Sequence, residues 1–483
     1  MPAAAVKKSK ALIQKKKKTA GSSAATLSLR QGAAGRKQTQ VPSERRNAHP
    51  YEAAPERISA RSHDGGRQSS GMQGHKAGRL QGQSARYNRE QSANYNQEQT
   101  AAKPAKKGKY YDYSLLFAII LITGIGLLMI YSSSQYTARI QRGSSSYYFF
   151  KQLKIAAAGF VAAVVMSKLF NYKWLRHFDN IAWILSVLLL VATLATGSTT
   201  NGSTRWLSLG GMSFQPTEAV KTAIIIFVAS KVSSLGYSIN QPANIAKLVA
   251  LCLLPILLIT KENLSSGIIL TGIVFFMLFT SVRDSKPFYA LGALGLGALL
   301  AAKPLAVKVI TEHNLGRPES YQLRRIFGWA LPESFPDDAY QTLQGLYAIG
   351  SGGITGQGLG GSIQKFSKLP EAQNDMIFSI ICEELGLVGA IAIVIVFIFI
   401  IYRLMMIAAN AEDLFGSLIV VGIAAHISIQ VILNIAVVTG VIPNTGVTLP
   451  FISYGGTAVL LTMIEMGIAL NVSNNIRPHY DGS

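Results

Sequence analysis

The sequence from 376 to 406 reads MIFSIICEELGLVGAIAIVIVFIFIIYRLMM. About 20 apolar residues suffice for a helix that crosses the hydrocarbon core of a bilayer, so this run predicts a membrane-spanning helix. Directly before it, residues 310–375 form a long polar connection that ends in LPEAQND. Connections of this length usually have a function. We therefore expect Asp375, which lies at the membrane boundary, to mark the chemical centre of the protein.

The rest of the chain from about residue 110 shows the same apolar pattern. Ten runs qualify as spans: 114–132, 153–170, 181–196, 216–234, 245–260, 264–282, 288–309, 376–404, 416–440 and 456–474. The runs 181–196 and 245–260 are short, so a different reading would merge or shift them. Backbone groups in lipid must be hydrogen-bonded within each segment, and the alternating pattern of barrel strands is missing from the sequence. We predict an all-α polytopic integral membrane protein with about ten transmembrane helices.

The first 109 residues have a different composition. They hold 23 Lys and Arg against 6 Asp and Glu, with few large apolar residues, which predicts a disordered basic tail. Basic residues before a first span favour a cytoplasmic N-terminus and attract anionic lipid headgroups. The KKKK run at 15–18 would also suit nucleic acid, but we expect no nucleic-acid partner. The predicted domains are the tail 1–109, the membrane domain 110–475 and a short cytoplasmic C-terminus 476–483.

Loop charges predict the orientation of the spans. The connections assigned to the cytoplasm carry Lys173, Arg176, Lys231, Arg283, Lys286, Arg403 and Arg477. The first outer connection departs from the rule, with Arg139, Arg142, Lys151 and Lys154. Ten spans with both ends inside place three connections, 197–215, 310–375 and 441–455, together on the extracytoplasmic side.

Some ionisable side chains fall within the predicted spans, where they are costly and usually face a cavity or a partner. Glu218 and Lys221 are three residues apart, so they share one helix face. They form either a simple intrahelical ion pair or the lining of a polar pocket. Glu384 either has a functional role or is buried against polar or charged groups of a neighbouring helix, such as Ser, Thr or Arg. For His426, Asn434 and Glu465 a structural role is favoured, and Glu465 has no evident partner in the sequence.

Two irregular segments contain many glycines or prolines. Residues 441–455 are apolar but broken by Pro443, Gly446 and Pro450, so they form either an outer loop or a re-entrant element that lines a protein-walled cavity. The stretch GSGGITGQGLGG at 350–361 matches the dinucleotide fingerprint formally, but it follows no strand of a βαβ unit. It predicts close backbone approach near the membrane surface instead.

Three blocks resemble a known family. They are NIAVVTGVIPNTGVTLPFISYGGTA at 434–458, GSTRWLSLGGMSFQPTEAVK at 202–221 and SIQKFSKLPEAQNDMIFSIICEELGLVG at 362–389. Their order and content are similar to the SEDS proteins (shape, elongation, division and sporulation), and most of all to the FtsW and SpoVE types. The resemblance covers about residues 110–475. The chain departs from the family pattern at Thr217, Gln373, Asn374, Met376 and Asn444.

The resemblance implies a peptidoglycan glycosyltransferase of the bacterial cell membrane. Such an enzyme polymerises lipid II, the undecaprenyl-pyrophosphate-linked disaccharide peptide, beside a class B penicillin-binding protein transpeptidase and other divisome proteins. It implies Asp375 as the catalytic residue, a general base in an inverting displacement. The substrate-binding residues implied are Arg205, Glu218, Lys221, Glu371, Pro443, Ser453, Gly455 and Gly456. The sequence identifies no cofactor with certainty, and it leaves open whether a divalent cation (Mg²⁺ or Mn²⁺) is used. Such an ion, or Arg324 or Arg325, would suit the leaving pyrophosphate.

Alternative interpretations remain at this stage. Asp375 also suits the N-cap of the helix that follows it. Polytopic helices with intramembrane charges suit a lipid II flippase, although no internal inverted repeat is evident. A paralogue of the RodA or SpoVE type, acting in elongation or sporulation, and a non-enzymatic scaffold of the division machinery are further readings.

Overall fold

A computed structural model describes residues 110–196, 198–200, 203–209, 212–366 and 368–476 of the chain. The predicted disordered tail at 1–109 and residues 477–483 of the predicted C-terminal segment lie outside the described residues. The side chains of 196–213 also lie outside the description.

The described chain is built almost wholly from helices. In order they are α1 Tyr113–Arg142, α2 Tyr147–Lys168, α3 Asp179–Thr196, α4 Pro216–Leu235, α5 Pro242–Glu262, α6 Leu264–Ser281, α7 Lys286–Glu312, α8 Tyr321–Ala330, α9 Pro336–Gly352, α10 Ile377–Ala409, α11 Leu414–Val438 and α12 Gly456–Asn474. Among the described residues, ten helices are long and apolar enough to span a membrane, all of these except α8 and α9. The prediction of ten spans is confirmed, and the two short runs are separate helices.

Local sequence signals set several helix starts. Proline occupies a first-turn position of α4 and α5, where its missing N–H would have no helical partner. Asp112 and Asp413 cap α1 and α11 by accepting the backbone N–H of Leu115 at 2.9 Å and of Gly416 at 2.7 Å. These caps place the span boundaries within a few residues of the hydropathy limits.

Alternate connections lie at the same end of the helical bundle, because each span reverses the chain direction across the membrane. The connections 143–146, 197–215, 263, 313–376 and 439–455 form one end, which we call the loop face. All three motif-bearing connections named from the sequence lie on this face. Helix α11, which is buried along much of its length, runs through the bundle beneath it.

The two larger connections of the loop face have structure of their own. The connection treated in the sequence as a 66-residue polar loop begins later, since α7 continues to Glu312, and it contains α8 and α9. In the connection 197–215, three strands form an antiparallel sheet: β1 Ser198–Thr200, β2 Ser203–Leu209 and β3 Met212–Phe214. Thr199 pairs with Thr204, and Ser208 pairs with Ser213. The membrane-spanning segments are helical as predicted, and the small sheet lies in a connection between two of them.

The glycine-rich stretch packs against an interruption in α10. The helix leaves helical geometry at Gly386, with φ 67° and ψ −168°. The backbone N–H of Gln357 donates to the carbonyl of Glu383 at 2.9 Å, and that of Leu387 donates to the carbonyl of Gly353 at 3.0 Å. A Cβ at Gly356 would lie 2.2 Å from the carbonyl oxygen of Glu384. The predicted close backbone approach is confirmed.

Residues 439–455 contain no helix and lie deep beside α1. An ideal Cβ on Gly126, near the middle of α1, would lie 2.6 Å from the carbonyl oxygen of Phe451 and 2.8 Å from the Cα of Ile452. Phe451 and Ile452 are buried. Of the two readings of this segment, the structure therefore supports the re-entrant element, and we call residues 439–455 the re-entrant segment.

We expect Gly126→Ala to destabilise the protein by about 1–3 kcal/mol, the usual cost of forcing extra volume into a packed core. The new methyl group would collide with backbone atoms, which have no rotamer with which to move aside. Thermal unfolding of the purified protein in detergent measures the effect. Gly124→Ala is the matched control, because a Cβ there meets nothing within 4 Å. Equal melting temperatures for both variants would contradict the close packing of the re-entrant segment on α1.

Candidate functional site

Asp375 lies at the loop face, in the turn that leads into α10. Its side chain is buried, with 6% of the residue exposed. The side-chain amide of Gln341 on α9 lies 3.4 Å from the Asp375 Oδ1. Helix α10 begins at Ile377, and Met376 occupies the N-cap position without a capping side-chain bond. Asp375 therefore precedes the cap residue, which argues against a simple N-cap role.

Two of the three sequence blocks are joined through the backbone of this turn. The carbonyl oxygens of Gln373, Asn374 and Asp375 each accept a hydrogen bond from the block 434–458. The donors are the backbone N–H of Tyr454 at 2.9 Å, the hydroxyl of Ser453 at 2.7 Å and the side-chain amide of Asn434 at 2.8 Å. The position of Asp375 is thus determined by the re-entrant segment and α11.

Glu371 belongs to the same turn but faces outward. It is exposed, has a left-handed φ of 55°, and accepts a hydrogen bond from the side chain of Asn374. Its backbone carbonyl accepts the N–H of Asn374 at 2.9 Å. An exposed carboxylate in this place is accessible to a large polar molecule at the loop face.

Glu218 and Lys221 form a buried ion pair with 2.8 Å between Glu218 Oε2 and Lys221 Nζ. Lys221 Nζ also lies 3.4 Å from the Gln430 Oε1 on α11. The Gln430 amide in turn donates to the carbonyl of Thr448 at 3.0 Å. The structure shows the intrahelical ion pair of the first reading, and through Gln430 this pair also connects α4 to the re-entrant segment.

The other predicted residues of the re-entrant block lie around the same place. Ser453 accepts the N–H of Leu449 at 2.7 Å in addition to its bond with the turn of Asp375. The N–H of Gly455 donates to the buried side chain of Gln152 on α2 at 3.4 Å, and Gly456 begins α12. Pro443 is half-buried near the start of the segment.

Arg205 lies on β2, and its side chain is outside the described residues. Its strand is followed by β3, which leads directly into the start of α4. There the N–H of Gln215 donates to the Thr457 hydroxyl on α12 at 3.3 Å. Only the backbone of Arg205 is therefore placed on the loop face.

Arg324 and Arg325 make local contacts on α8. Arg324 donates to the carbonyls of Pro318 and Glu319 at 3.0 and 2.9 Å. Arg325 donates to the Tyr321 hydroxyl at 2.7 Å. The structure does not bring either guanidinium to the turn of Asp375.

A second buried ion pair was not predicted from the sequence. Lys365 Nζ lies 2.9 Å from Glu384 Oε1, and both residues are almost fully buried. The Ser132 hydroxyl of α1 donates to the same carboxylate at 2.6 Å. A lysine next to the membrane boundary, in the same block as a span glutamate, was the available signal. Glu384 is thus buried against a serine of the neighbouring helix α1, as one reading expected, and it also pairs with a lysine that this reading did not include.

The neighbouring Glu383 holds the start of the same segment. Its carboxylate accepts the Ser362 hydroxyl at 2.5 Å and the backbone N–H of Ile363 at 2.9 Å. Glu383 and Glu384 therefore attach residues 362–365 to α10. These residues precede Asp375 by ten to thirteen positions.

Glu465 has partners on two other helices. His426 Nδ1 on α11 lies 2.9 Å from Glu465 Oε2, and the Thr222 hydroxyl on α4 donates to Glu465 Oε1 at 2.6 Å. The favoured structural role of His426 and Glu465 agrees with these contacts. The sequence offered no signal for the pairing, because the three residues lie on three different helices.

Tyr454 shows the local electrostatics of the loop face. Burial raises the pKa of its phenol, while the nearby Lys151 opposes that change. The Lys151 ammonium lies 6.0 Å from the centroid of the Tyr454 ring. The Lys151 ammonium therefore lies beside Tyr454, the residue directly after the serine that bonds to Asn374.

Metal-binding side chains are sparse. Among the described residues, no group of three or more His, Cys, Asp or Glu side chains could hold a metal ion. The described side chains therefore do not form a site that would hold an ion by themselves. The two cysteines, Cys252 and Cys382, are buried free thiols in spanning helices.

Comparison with known families gives one match over most of the chain. The family model FTSW_RODA_SPOVE, described as cell cycle protein, matches residues 113–477. Among curated proteins, the probable peptidoglycan glycosyltransferase FtsW of Bacillus subtilis (strain 168) is 38% identical over 374 residues, which cover 76% of this chain and 91% of the relative. Stage V sporulation protein E of the same organism is 35% identical, over 76% of this chain and 98% of the relative.

Solved structures share the fold. A chain from a study of the structural coordination of polymerization and crosslinking by a peptidoglycan synthase complex superposes with a TM-score of 0.60, at 24% identity, over 75% of this chain and 97% of that one. The rod shape determining protein RodA of Thermus thermophilus gives a TM-score of 0.55 at 22% identity, over 76% and 98% of the two chains.

Proposed function

Because this chain belongs to the FtsW, RodA and SpoVE family of cell cycle proteins, we propose that it is a peptidoglycan glycosyltransferase that polymerises lipid II during cell division. The observation that carries the proposal is the buried carboxylate of Asp375. Three consecutive carbonyls of its turn are hydrogen-bonded to the block 434–458. A carboxylate held in this way is suited to act as a general base.

The reaction is an inverting displacement at the anomeric carbon of a lipid-linked sugar. A sugar 4-hydroxyl of one lipid II attacks the anomeric carbon of the strand, and the bond from that carbon to undecaprenyl pyrophosphate breaks. Asp375 accepts the hydroxyl proton as the new glycosidic bond forms, and the pyrophosphate leaves with the electron pair. General-base catalysis of this kind typically raises the reaction rate by about 10²–10⁴-fold.

The leaving pyrophosphate requires positive charge or N–H donors. Lys221 and Arg205 are the proposed cations, with Glu218 holding Lys221 in place. Glu371, Pro443, Ser453, Gly455 and Gly456 are proposed to contact the substrate at the loop face. The support for this assignment is the ion pair between Glu218 and Lys221 and its link through Gln430 to Thr448 of the re-entrant segment.

A divalent cation at this site would be bound to the pyrophosphate of lipid II and would enter with it. The described side chains lack a three-ligand cluster, so a Mg²⁺ or Mn²⁺ ion would be held mainly by phosphate oxygens and water. Such an ion would neutralise charge on the leaving group. No step of the mechanism above depends on it.

We place the loop face outside the cell and both termini in the cytoplasm, in a bacterial plasma membrane. Loop charges support this orientation. The proposed partners are a class B penicillin-binding protein transpeptidase and other divisome proteins. One structural neighbour comes from a peptidoglycan synthase complex, which agrees with such a partner.

A lipid II flippase is the second candidate, favoured by the ionisable groups buried among the spans, such as Glu465 with His426. The motif-bearing connections argue for the transferase, since all of them lie on one face. A RodA-type or SpoVE-type role in elongation or sporulation would use the same chemistry. A purely structural role as a scaffold does not account for the buried Asp375, Glu218 and Lys221 together.

Incubation of the purified full chain with lipid II and the transpeptidase tests the proposal. We expect glycan strands of many disaccharides, resolved by gel electrophoresis and cleaved to disaccharides by a muramidase. Liposomes with lipid II in one leaflet provide the parallel test. Translocation of lipid II without any polymer would support the flippase and overturn the transferase.

A further inference from the structure

Gln341 on α9 contacts both ends of the turn that carries Asp375. Its side-chain Nε2 lies 3.4 Å from the Asp375 Oδ1 and 3.4 Å from the carbonyl oxygen of Pro370. The turn between Pro370 and Asp375 has the sequence PEAQND. One amide group thus connects the start of the turn, its carboxylate and a helix of the outer connection.

Asn434 on α11 contacts the backbone of Asp375. Its fully buried amide donates to the Asp375 carbonyl at 2.8 Å and to the carbonyl of Val447 at 2.7 Å. Asp375 is therefore contacted by amide donors of two helices, with α11 at its backbone and α9 at its carboxylate. The contact of Asn434 with the backbone sets the position of Asp375. The contact of Gln341 acts on the orientation of the Asp375 carboxylate.

We propose that Gln341 is a positioning residue for Asp375, orienting its carboxylate for proton transfer. This inference rests on the proposed function. A neutral amide suits the task, because a hydrogen bond to the ionised form favours that form without the strong loss of basicity that a neighbouring Lys or Arg would cause. A separation of 3.4 Å is long for a hydrogen bond, and catalytic contacts of this kind shorten when substrate binds.

Several charged or titratable groups on elements packed around Asp375 have contacts of their own. They are Glu371 with Asn374 in the same turn, Tyr454 near Lys151 at the re-entrant segment, Asp338 with Arg317 at the start of α9, Glu383 with Ser362 and Glu384 with Lys365 on α10, and His426 with Glu465 on α11. Tyr340 on α9 and Lys368 just before the turn are exposed. Replacing Gln341 therefore changes the charge beside Asp375 without removing any of these contacts.

The test compares two substitutions at Gln341 in the polymerisation assay. Gln341→Glu places a second carboxylate beside Asp375, and because two adjacent carboxylates resist ionising together, the pair should titrate at higher pH. We expect the acid limb of the pH–rate profile to move up by about one pH unit or more. Gln341→Leu should lower kcat about tenfold, the effect of one lost hydrogen bond to a charged group, with KM within about twofold of wild type.

Gln344, one turn further along α9, supplies matched controls. It makes no side-chain hydrogen bond to any described residue, so Gln344→Leu should leave kcat unchanged. Gln344→Glu, whose carboxylate lies one turn from position 341, should shift the pH profile less than Gln341→Glu does. An unshifted profile for Gln341→Glu overturns the inference, as does a raised KM with unchanged kcat for Gln341→Leu. Wild-type protein that makes no polymer would instead overturn the proposed function, so the two failures are distinguishable.

Discussion

Asp375→Asn is expected to reduce the rate of lipid II polymerisation by at least about a hundredfold. The carboxamide has the size of the carboxylate but cannot accept the proton of an attacking hydroxyl. The turn should keep its place, because the bonds that hold it involve the backbone carbonyls of Gln373, Asn374 and Asp375. The initial rate of glycan formation by purified protein, in the presence of its transpeptidase, measures the effect.

A matched control is Glu333→Gln, which neutralises an exposed carboxylate in the same connection, between α8 and α9. It should polymerise at the wild-type rate. The free energy of unfolding of both variants should lie within about 1 kcal/mol of the wild-type value, since neither change creates a cavity. If Asp375→Asn makes polymer as fast as wild type, Asp375 is not the base and its role is in the structure of the turn.

Removing one partner of the ion pair between Lys365 and Glu384 should have the largest effect on stability. We expect Glu384→Ala to cost about 3–5 kcal/mol, because it leaves the buried Lys365 ammonium without its carboxylate. The Ser132 hydroxyl of α1 would lose the same acceptor. Chemical denaturation of the protein in detergent, followed by intrinsic fluorescence, measures the loss.

The double variant Lys365→Met with Glu384→Leu should recover much of that stability, since apolar residues of similar volume often replace a buried pair at little cost. Glu312→Ala is the surface control. It breaks the exposed pair of Lys308 and Glu312, whose charges are 3.9 Å apart, and should cost less than about 1 kcal/mol. A loss for Glu384→Ala as small as that for Glu312→Ala would show that the buried pair is not needed for folding.

The membrane architecture was predictable from the sequence. Span number and approximate span limits follow from the length of each apolar run, and this property is local to the run. The close approach at Gly356 was predictable from glycine density. The sequence also pointed to the turn of Asp375 through a carboxylate beside a span, and the role of that carboxylate stays a prediction. The helices α8 and α9 were missed because a long polar connection carries a weaker periodic signal than a span. The strands at 198–214 were missed because each is only three to seven residues long.

The partners of the buried polar groups depended on tertiary structure. Lys365 with Glu384 and Ser132, and Glu465 with His426 and Thr222, join residues on different elements of the chain. Such pairing depends on how each helix is rotated about its axis. In a membrane protein both the lipid-facing and the core-facing sides of a helix are apolar, so hydropathy does not reveal that rotation. The sequence alone thus determined how many helices cross the membrane and which turn carries the acid. Packing of those helices decided which side chains hold that acid in place.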